Sequence, residues 1–309
     1  MVDVELRFDG QVAVVTGAGN GIGRSYALEL AARGAAVVCN DIAASAADST
    51  VAEIERSGGR AVAETSSVAS PQGGEAIVAA AIDAFGSVDI LINNAGQIRN
   101  ASFDEMTIED FDDVVRTHLA GSFYVTQPAY RRMKKSGCGR IIFTSSDAGL
   151  FGLEWSANYA AAKAGLAGLS KVVAIEGAPF GITANVVLPM AMGTSLDSGR
   201  PPYSPTGLEN IFNAISPVAA YMTVENVAPF VVFLVSRACE FSGRIFSIGC
   251  GRVAEAFITM GQGWFAPDPS RSTPEEIAAH LDEVCNFDGT VTLDSALDQF
   301  RTIAARISH

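Results

Sequence analysis

The sequence predicts an α/β protein: a doubly wound, seven-stranded parallel sheet with helices on both faces, followed by a helical C-terminal extension. Three observations lead there. Short β-branched runs alternate with longer Ala-rich amphipathic stretches, the pattern of βαβ units. Several of the short runs are continuously apolar, as strands buried on both faces are. A glycine-rich turn, Thr16-Gly17-Ala18-Gly19-Asn20-Gly21-Ile22-Gly23, joins the first run to the first amphipathic stretch.

In chain order, strands are expected at residues 12–16, 36–40, 61–64, 89–93, 140–145, 183–188 and 245–248. Helices are expected at 22–33, 45–57, 72–85, 108–135, 157–180 and 224–236. This alternation assigns residues 1–250 to one domain. Residues 190–216 break the rhythm. They are rich in Gly, Pro and Ser and follow a strand, so they form either a mobile lid at the carboxyl edge of the sheet or a solvated connection. Residues 251–309 form the extension. There Thr273-Pro274-Glu275-Glu276 is a helix-start signal, with a Thr cap and Pro at the first position. Ile277, Leu281 and Val284 have helical spacing, as do Leu293, Leu297, Phe300 and Ile303. Two helices are therefore expected, packed on the domain or on a partner subunit.

Composition narrows the function classes. At 309 residues, 49% hydrophobic and 18% charged, the chain is expected to be globular and well packed. No apolar run free of charge reaches the roughly 18 residues of a membrane span. Asp3 and Glu5 stand where a signal peptide would carry Lys or Arg, so a cytoplasmic protein is expected, with no membrane partner. A net charge of −13 argues against nucleic acid, because phosphate binding needs a basic face. Cys39, Cys138, Cys239, Cys250 and Cys285 form no CxxC pair, which favours reduced thiols. With only three histidines, zinc-ligand spacing is lacking and no metal site is expected.

The glycine-rich turn suits a dinucleotide. Its glycines allow a tight turn and a close backbone approach to a pyrophosphate, and the helix N-terminus behind it adds partial positive charge. Asp41 ends the second strand 18 residues beyond Gly23. A carboxylate there can accept hydrogen bonds from ribose hydroxyls and would repel a 2′-phosphate, which favours NAD over NADP. It can also cap the helix that follows. Asn93-Asn94-Ala95-Gly96 closes the fourth strand with small residues that admit an adenosine, or forms a simple turn.

Tyr159 and Lys163 are four residues apart in a helix-forming stretch, so both project from one face. A nearby ammonium stabilises a phenolate, which lowers the tyrosine pKa and suits proton exchange with an alcohol oxygen. Ser146, after the fifth strand, can donate or accept a hydrogen bond at that oxygen. Alone, such a Tyr–Lys pair is commonly a pair of surface neighbours; the preceding glycine turn, Asn-Asn-Ala-Gly and Ser146 give it weight.

Through TGAGNGIG, NNAG at 93–96, Ser146, YAAAK at 159–163 and the loop led by Leu188-Pro189, the chain resembles the short-chain dehydrogenase/reductase superfamily. The resemblance spans residues 8 to about 250 and implies a Rossmann fold, NAD(P) chemistry and a homodimer or homotetramer. It implies that Tyr159 is the general acid/base and that Lys163 orients the nicotinamide ribose. Ser146 would then stabilise the substrate oxygen. It also places Gly17, Asn20, Gly21, Ile22, Gly23, Asp41, Ser67, Val68, Asn94, Ala95, Gly96, Pro189 and Thr194 at the cofactor, with Tyr159 and Lys163. The chain departs from the family at three places. His118 stands where an Asn usually supports a proton relay; it either takes over that role or is a packed helical histidine. Ser67-Val68 replace a common Asp, and Met190 rather than Gly follows Pro189.

Within the superfamily, Cys39-Asn40-Asp41-Ile42, His118 in its T-H-L-x-G-S-F frame, residues 170–177 and Thr273-Pro274-Glu275 running on to Val284-Cys285-Asn286-Phe287 resemble the dehydrogenase part of peroxisomal multifunctional enzymes of type 2. That resemblance implies oxidation of (3R)-3-hydroxyacyl-CoA with NAD, with Arg99, Arg131 and Arg132 as candidates for the CoA phosphates. Arg306-Ile307-Ser308-His309 is not a peroxisomal address of the S-K-L kind, consistent with the cytoplasmic expectation. A 17β-type hydroxysteroid or terpenoid alcohol is the alternative substrate, with Leu188, Met190, Met192 and Phe212 as pocket candidates. A 3-oxoacyl thioester reductase is disfavoured by Asp41, and a non-catalytic nucleotide-binding scaffold by the complete Ser146, Tyr159 and Lys163 set.

Overall fold

The computed structural model describes residues 5–191, 203–268 and 271–307. The chain divides into two units, Met1–Glu255 and Ala256–His309.

The first unit begins with the expected alternation: β1 (Val12–Thr16), α1 (Gly21–Ala32), β2 (Ala36–Asn40), α2 (Ala44–Arg56), β3 (Arg60–Glu64), α3 (Pro71–Phe85) and β4 (Ile90–Asn93). It continues through α4 (Ile108–Val115), α5 (Gly121–Ser136), β5 (Gly139–Thr144), α6 (Asp147–Phe151), α7 (Ala157–Gly177), β6 (Ile182–Met190), α8 (Pro205–Ile215), α9 (Ala228–Leu234), β7 (Ile245–Gly249) and β8 (Arg252–Ala256). The sheet order is β3-β2-β1-β4-β5-β6-β7-β8. β1 pairs in parallel with both β2 and β4. Strand order therefore reverses beside β1, and a crevice opens at the carboxyl ends of β1 and β4.

Alternate side chains bury both faces of the sheet. Val15, Cys39, Ile92, Ile142 and Val187 share a core with Tyr26 and Leu30 of α1 and Val231 of α9. Their neighbours Val14, Val38, Leu91, Ile141 and Phe143 are as deeply buried on the opposite face. Helix α5 packs against both α3 and α7, as α1 does against α2 and α9.

The expected seven-stranded sheet has an eighth member. β8 follows β7 after Cys250-Gly251, a connection too short for a parallel crossover, so it runs antiparallel at the edge. The expected helix at 108–135 is not one regular helix either. A π-helical turn, Arg116–Ala120, lies between α4 and α5. Residues 190–216 are not all loop: Ser204 caps α8, and Pro205 is at its first turn.

In the second unit β9 (Thr259–Met260) pairs antiparallel with β10 (Val291–Thr292). Its helices are α10 (Pro274–Ala279), α11 (Leu281–Val284) and α12 (Ala296–Ile307). Thr273 and Glu276 close a capping box on α10. Two helical stretches expected from sequence thus become three helices, because His280 interrupts the first.

Asn185 of β6 shows how polar groups lock the first unit. It is buried; its Nδ2 donates to Phe241 O at 2.6 Å and its Oδ1 accepts from Arg244 N at 3.2 Å, fixing the entry to β7. Asn185→Ala leaves both backbone partners unpaired and is expected to cost about 1–3 kcal/mol. Urea denaturation followed by circular dichroism checks this; an unchanged midpoint would refute the tie.

Candidate active site

β1 runs directly into the glycine turn. Gly17 has φ 65°, in the left-handed region, and a Cβ there would lie 2.9 Å from Ala95 Cα. A Cβ at Gly23 would lie 2.1 Å from Gly17 O. The cradle is therefore held open by missing side chains, and it fits a dinucleotide whose pyrophosphate meets the backbone N–H groups opening α1.

The Asn-Asn-Ala-Gly segment is part of the same construction. Thr16 Oγ1 accepts from Asn94 N at 2.9 Å and Ala95 N at 3.1 Å. Asn94 Nδ2 donates to Thr16 O at 3.1 Å and Gly17 O at 3.3 Å. Asn93 turns the other way, donating to Thr126 Oγ1 of α5 at 3.0 Å. Gly17, Gly21, Gly23, Asn94, Ala95 and Gly96 are thus drawn to the end of β1 and β4. Ile22 is half-buried in the first turn of α1, and Asn20 is exposed at its N-cap position without a side-chain bond.

Asp41 accepts from two backbone N–H groups. Its Oδ2 accepts from Gly19 N at 3.1 Å, beside the cradle, and its Oδ1 accepts from Ala43 N at 2.9 Å ahead of α2. Ser67 is exposed and Val68 is buried. Pro189 pairs with Ile248 in the sheet. Thr194, with the pocket candidate Met192, lies outside the described residues.

Ser146, Tyr159 and Lys163 come together beyond the end of β5. Ser146 begins α6, accepting from Ala148 N at 3.2 Å. One turn of α7 separates Tyr159 from Lys163, whose Nζ is 5.4 Å from the Tyr159 ring centroid. That Nζ donates to Thr144 O, while Ser145 Oγ donates to Lys163 O at 2.7 Å, so β5 and α7 are tied by both ends of one residue. Complete burial pulls the Lys163 ammonium down to about 7. The expected lowering of Tyr159 is corrected: burial raises its pKa, and the opposing influence is a hydrogen bond with Ser146. The physical reason is that burial desolvates the phenol itself, which penalises its charged form.

His118 sits in the π-helical turn, buried and edge-on to Tyr159, with ring centroids 5.2 Å apart. Its Nε2 lies 3.0 Å from Gln97 N and 2.7 Å from Gln97 O. Burial, then the Lys163 charge, pulls its pKa down to about 3, so the ring is neutral at physiological pH. It is packed, as one alternative held, and it touches the catalytic candidate. Gly96 makes room for it: a Cβ there would lie 2.1 Å from His118 Cε1.

Two residues that sequence reasoning passed over support this arrangement. Asn158, fully buried, donates to Arg99 O at 2.8 Å and Asp110 O at 3.0 Å. Gln97 Nε2 donates to Asp113 O at 3.2 Å and Thr117 Oγ1 at 3.1 Å. The only signal was a polar residue adjoining each motif. Of the CoA-phosphate candidates, Arg99 is ion-paired with Asp110 and Asp113, and Arg131 with Glu75.

Two outcomes follow. Gly96→Ala should displace the His118 ring and cost about 1–3 kcal/mol of stability, read by thermal denaturation. For His118 the folded pKa lies below the unfolded value, so below about pH 6.5 the unfolded chain binds the extra proton and stability falls as pH drops toward about 3. His118→Asn should flatten that fall; identical pH–stability curves would contradict it.

Residues 11–202 match the short chain dehydrogenase family. The chain is 40% identical over 292 residues to mouse peroxisomal multifunctional enzyme type 2, covering 91% of this chain and 37% of that enzyme. The full-length Drosophila melanogaster enzyme of that type superposes with a TM-score of 0.78 at 34% identity, over 98% of this chain and 50% of that one. A 7α-hydroxysteroid dehydrogenase complexed with NADH and 7-oxo glycochenodeoxycholic acid superposes with a TM-score of 0.72 at 32% identity, over 79% of this chain and 95% of that one. The chain thus spans at most about half the length of the multifunctional enzymes compared. With the cradle at β1, the Ser146–Tyr159–Lys163 cluster beyond β5 and these likenesses, the chain belongs to the short-chain dehydrogenase/reductase family.

Proposed function

We propose that this chain is an NAD-dependent dehydrogenase that oxidises a secondary alcohol to a ketone, with (3R)-3-hydroxyacyl-CoA as substrate and 3-ketoacyl-CoA as product. The observation that carries the reading is the convergence of Ser146, Tyr159 and Lys163 beside the dinucleotide cradle. The substrate class rests on likeness to the multifunctional enzymes.

Bound NAD would supply the hydride acceptor. Tyr159, as the phenolate, takes the proton of the carbinol oxygen as the carbonyl forms and so becomes the neutral phenol that burial favours, and Ser146 holds that oxygen by a hydrogen bond. Lys163, fixed on Thr144 O, brings positive charge to the phenolate. His118 packs against the Tyr159 ring as a neutral group and limits its rotation. Asp41 supports NAD over NADP, since its carboxylate opposes a 2′-phosphate beside Gly19 N.

A hydroxysteroid is the second reading, favoured by the likeness to the 7α-hydroxysteroid dehydrogenase and by exposed Phe212 on α8. The same proposal has the protein cytoplasmic and homo-oligomeric. Its five cysteines are free, and Phe111, Phe123, Val172 and Ile175 leave apolar area on α4, α5 and α7 for a second copy.

NADH formation with a (3R)-3-hydroxyacyl-CoA series and a hydroxysteroid tests the reading. Thioester turnover with NAD is expected, and Tyr159→Phe should lower kcat by roughly 10²–10⁴-fold. Activity with NADP alone would remove the role given to Asp41.

A further inference from the structure

Three segments that follow different strands meet near Tyr159. The first follows β4 and carries the buried Asn100, whose neighbour Ala101 donates its N–H to Trp155 O at 3.0 Å. The second lies between α6 and α7. It contains Glu154 and also Trp155, which holds the left-handed φ of 63° that a tryptophan rarely adopts. The third carries Tyr203 and Ser204 ahead of α8.

A latch joins the last two. Ser204 Oγ accepts from Gly207 N at 2.9 Å and donates to Glu154 Oε1 at 2.8 Å. A Cβ at Gly207 would lie 1.5 Å from that same oxygen, so the carboxylate rests against the first turn of α8, where the helix dipole favours it. The residue before the latch, Tyr203, is half-buried and its hydroxyl hydrogen-bonds the Asn100 side chain. Burial raises its pKa, and its charge in turn would raise that of Tyr159. Tyr203 is thus a neutral phenol within electrostatic reach of the candidate general acid/base. A hydroxyl has one hydrogen and two lone pairs, so the bond to Asn100 does not exhaust its hydrogen-bonding capacity.

We infer that Tyr203 is a specificity-determining residue: held by Asn100 and by the Glu154–Ser204 latch, its hydroxyl binds a polar group of the substrate close to the reacting carbinol carbon. In a 3-hydroxyacyl thioester that group is the thioester carbonyl. The inference rests on the secondary-alcohol chemistry proposed above and adds how the site tells one alcohol from another. A site that offers a hydrogen bond to one substrate rejects the analogue lacking the partner, because its own polar group is left unpaired.

The test compares matched substrates in wild type, Tyr203→Phe and Glu154→Ala: a 3-hydroxybutyryl thioester and a plain secondary alcohol of the same chain length. Tyr203→Phe is expected to lower kcat/KM for the thioester about tenfold, mainly through KM, and to leave the plain alcohol unchanged. Glu154→Ala should move the same ratio in the same direction by a smaller factor. An equal loss on both substrates would mark a structural role, and an unchanged ratio would also overturn the inference. If wild type turns over no thioester, the substrate reading fails by itself. The comparison then passes to a 17β-hydroxysteroid with and without a carbonyl on the adjoining ring carbon, where the same change in ratio supports Tyr203 and no change overturns it.

Discussion

At the ends of β1 and β4 the hydroxyl of Thr16 accepts from Asn94 N and Ala95 N, while Asn94 returns a bond to Thr16 O. This small knot joins the two strands at the point where the sheet reverses its winding. It carries the β1–β4 ladder, whose register runs from Ala13–Ile90 to Val15–Ile92, past the ends of both strands. Because it is fixed, the glycine turn on one side and the Gly96–Gln97 segment on the other keep a constant separation. The cofactor cradle and the proton-handling groups are both referred to that one frame.

Around the frame the chemistry depends on withheld water. Lys163, His118 and Tyr159 are each shifted by burial toward their neutral forms. A charge placed among them is costly unless it meets an opposite charge, so the site favours moving a proton between groups over accumulating charge. Backbone groups supply the fixed polarity: Thr144 O for the lysine and, at the imidazole Nε2, Gln97 O where that nitrogen carries the proton or Gln97 N–H where it does not.

How much of this was legible in the sequence depended on range. The glycine turn, Asn94 and the Tyr159–Lys163 pair were legible because each is set by spacing within a few residues. Asp41 was left with two roles, and its bond to Gly19 N, made across from the glycine turn, is a contact that no single stretch of sequence can express. The π-helical turn was invisible because its composition, Arg-Thr-His-Leu-Ala, is that of an ordinary helix. The eighth strand was missed because Arg252–Ala256 is short and partly exposed, without the apolar run that marks a buried strand. α8 carried a readable signal in Ser204-Pro205, with Leu208, Ile211, Phe212 and Ile215 at helical spacing, but the Gly and Pro content upstream masked it. The direction of the Tyr159 shift was misjudged because desolvation is the sum of everything packed around a group, whereas sequence shows only its neighbours.

The π-helical turn has a consequence for how this chain tolerates change in length. Each residue advances an α-helix by about 100°, so the wide turn at Arg116–Ala120 resets the phase of everything beyond it. It aims His118 at Tyr159 and also aims Thr126, two turns later, at Asn93. Removing any one residue between them would rotate α5 by more than a quarter of a circle, carrying Thr126 off its partner and the apolar stripe off α3 together. The segment is therefore a vernier: its residue types can drift, but its residue count is locked to the sheet.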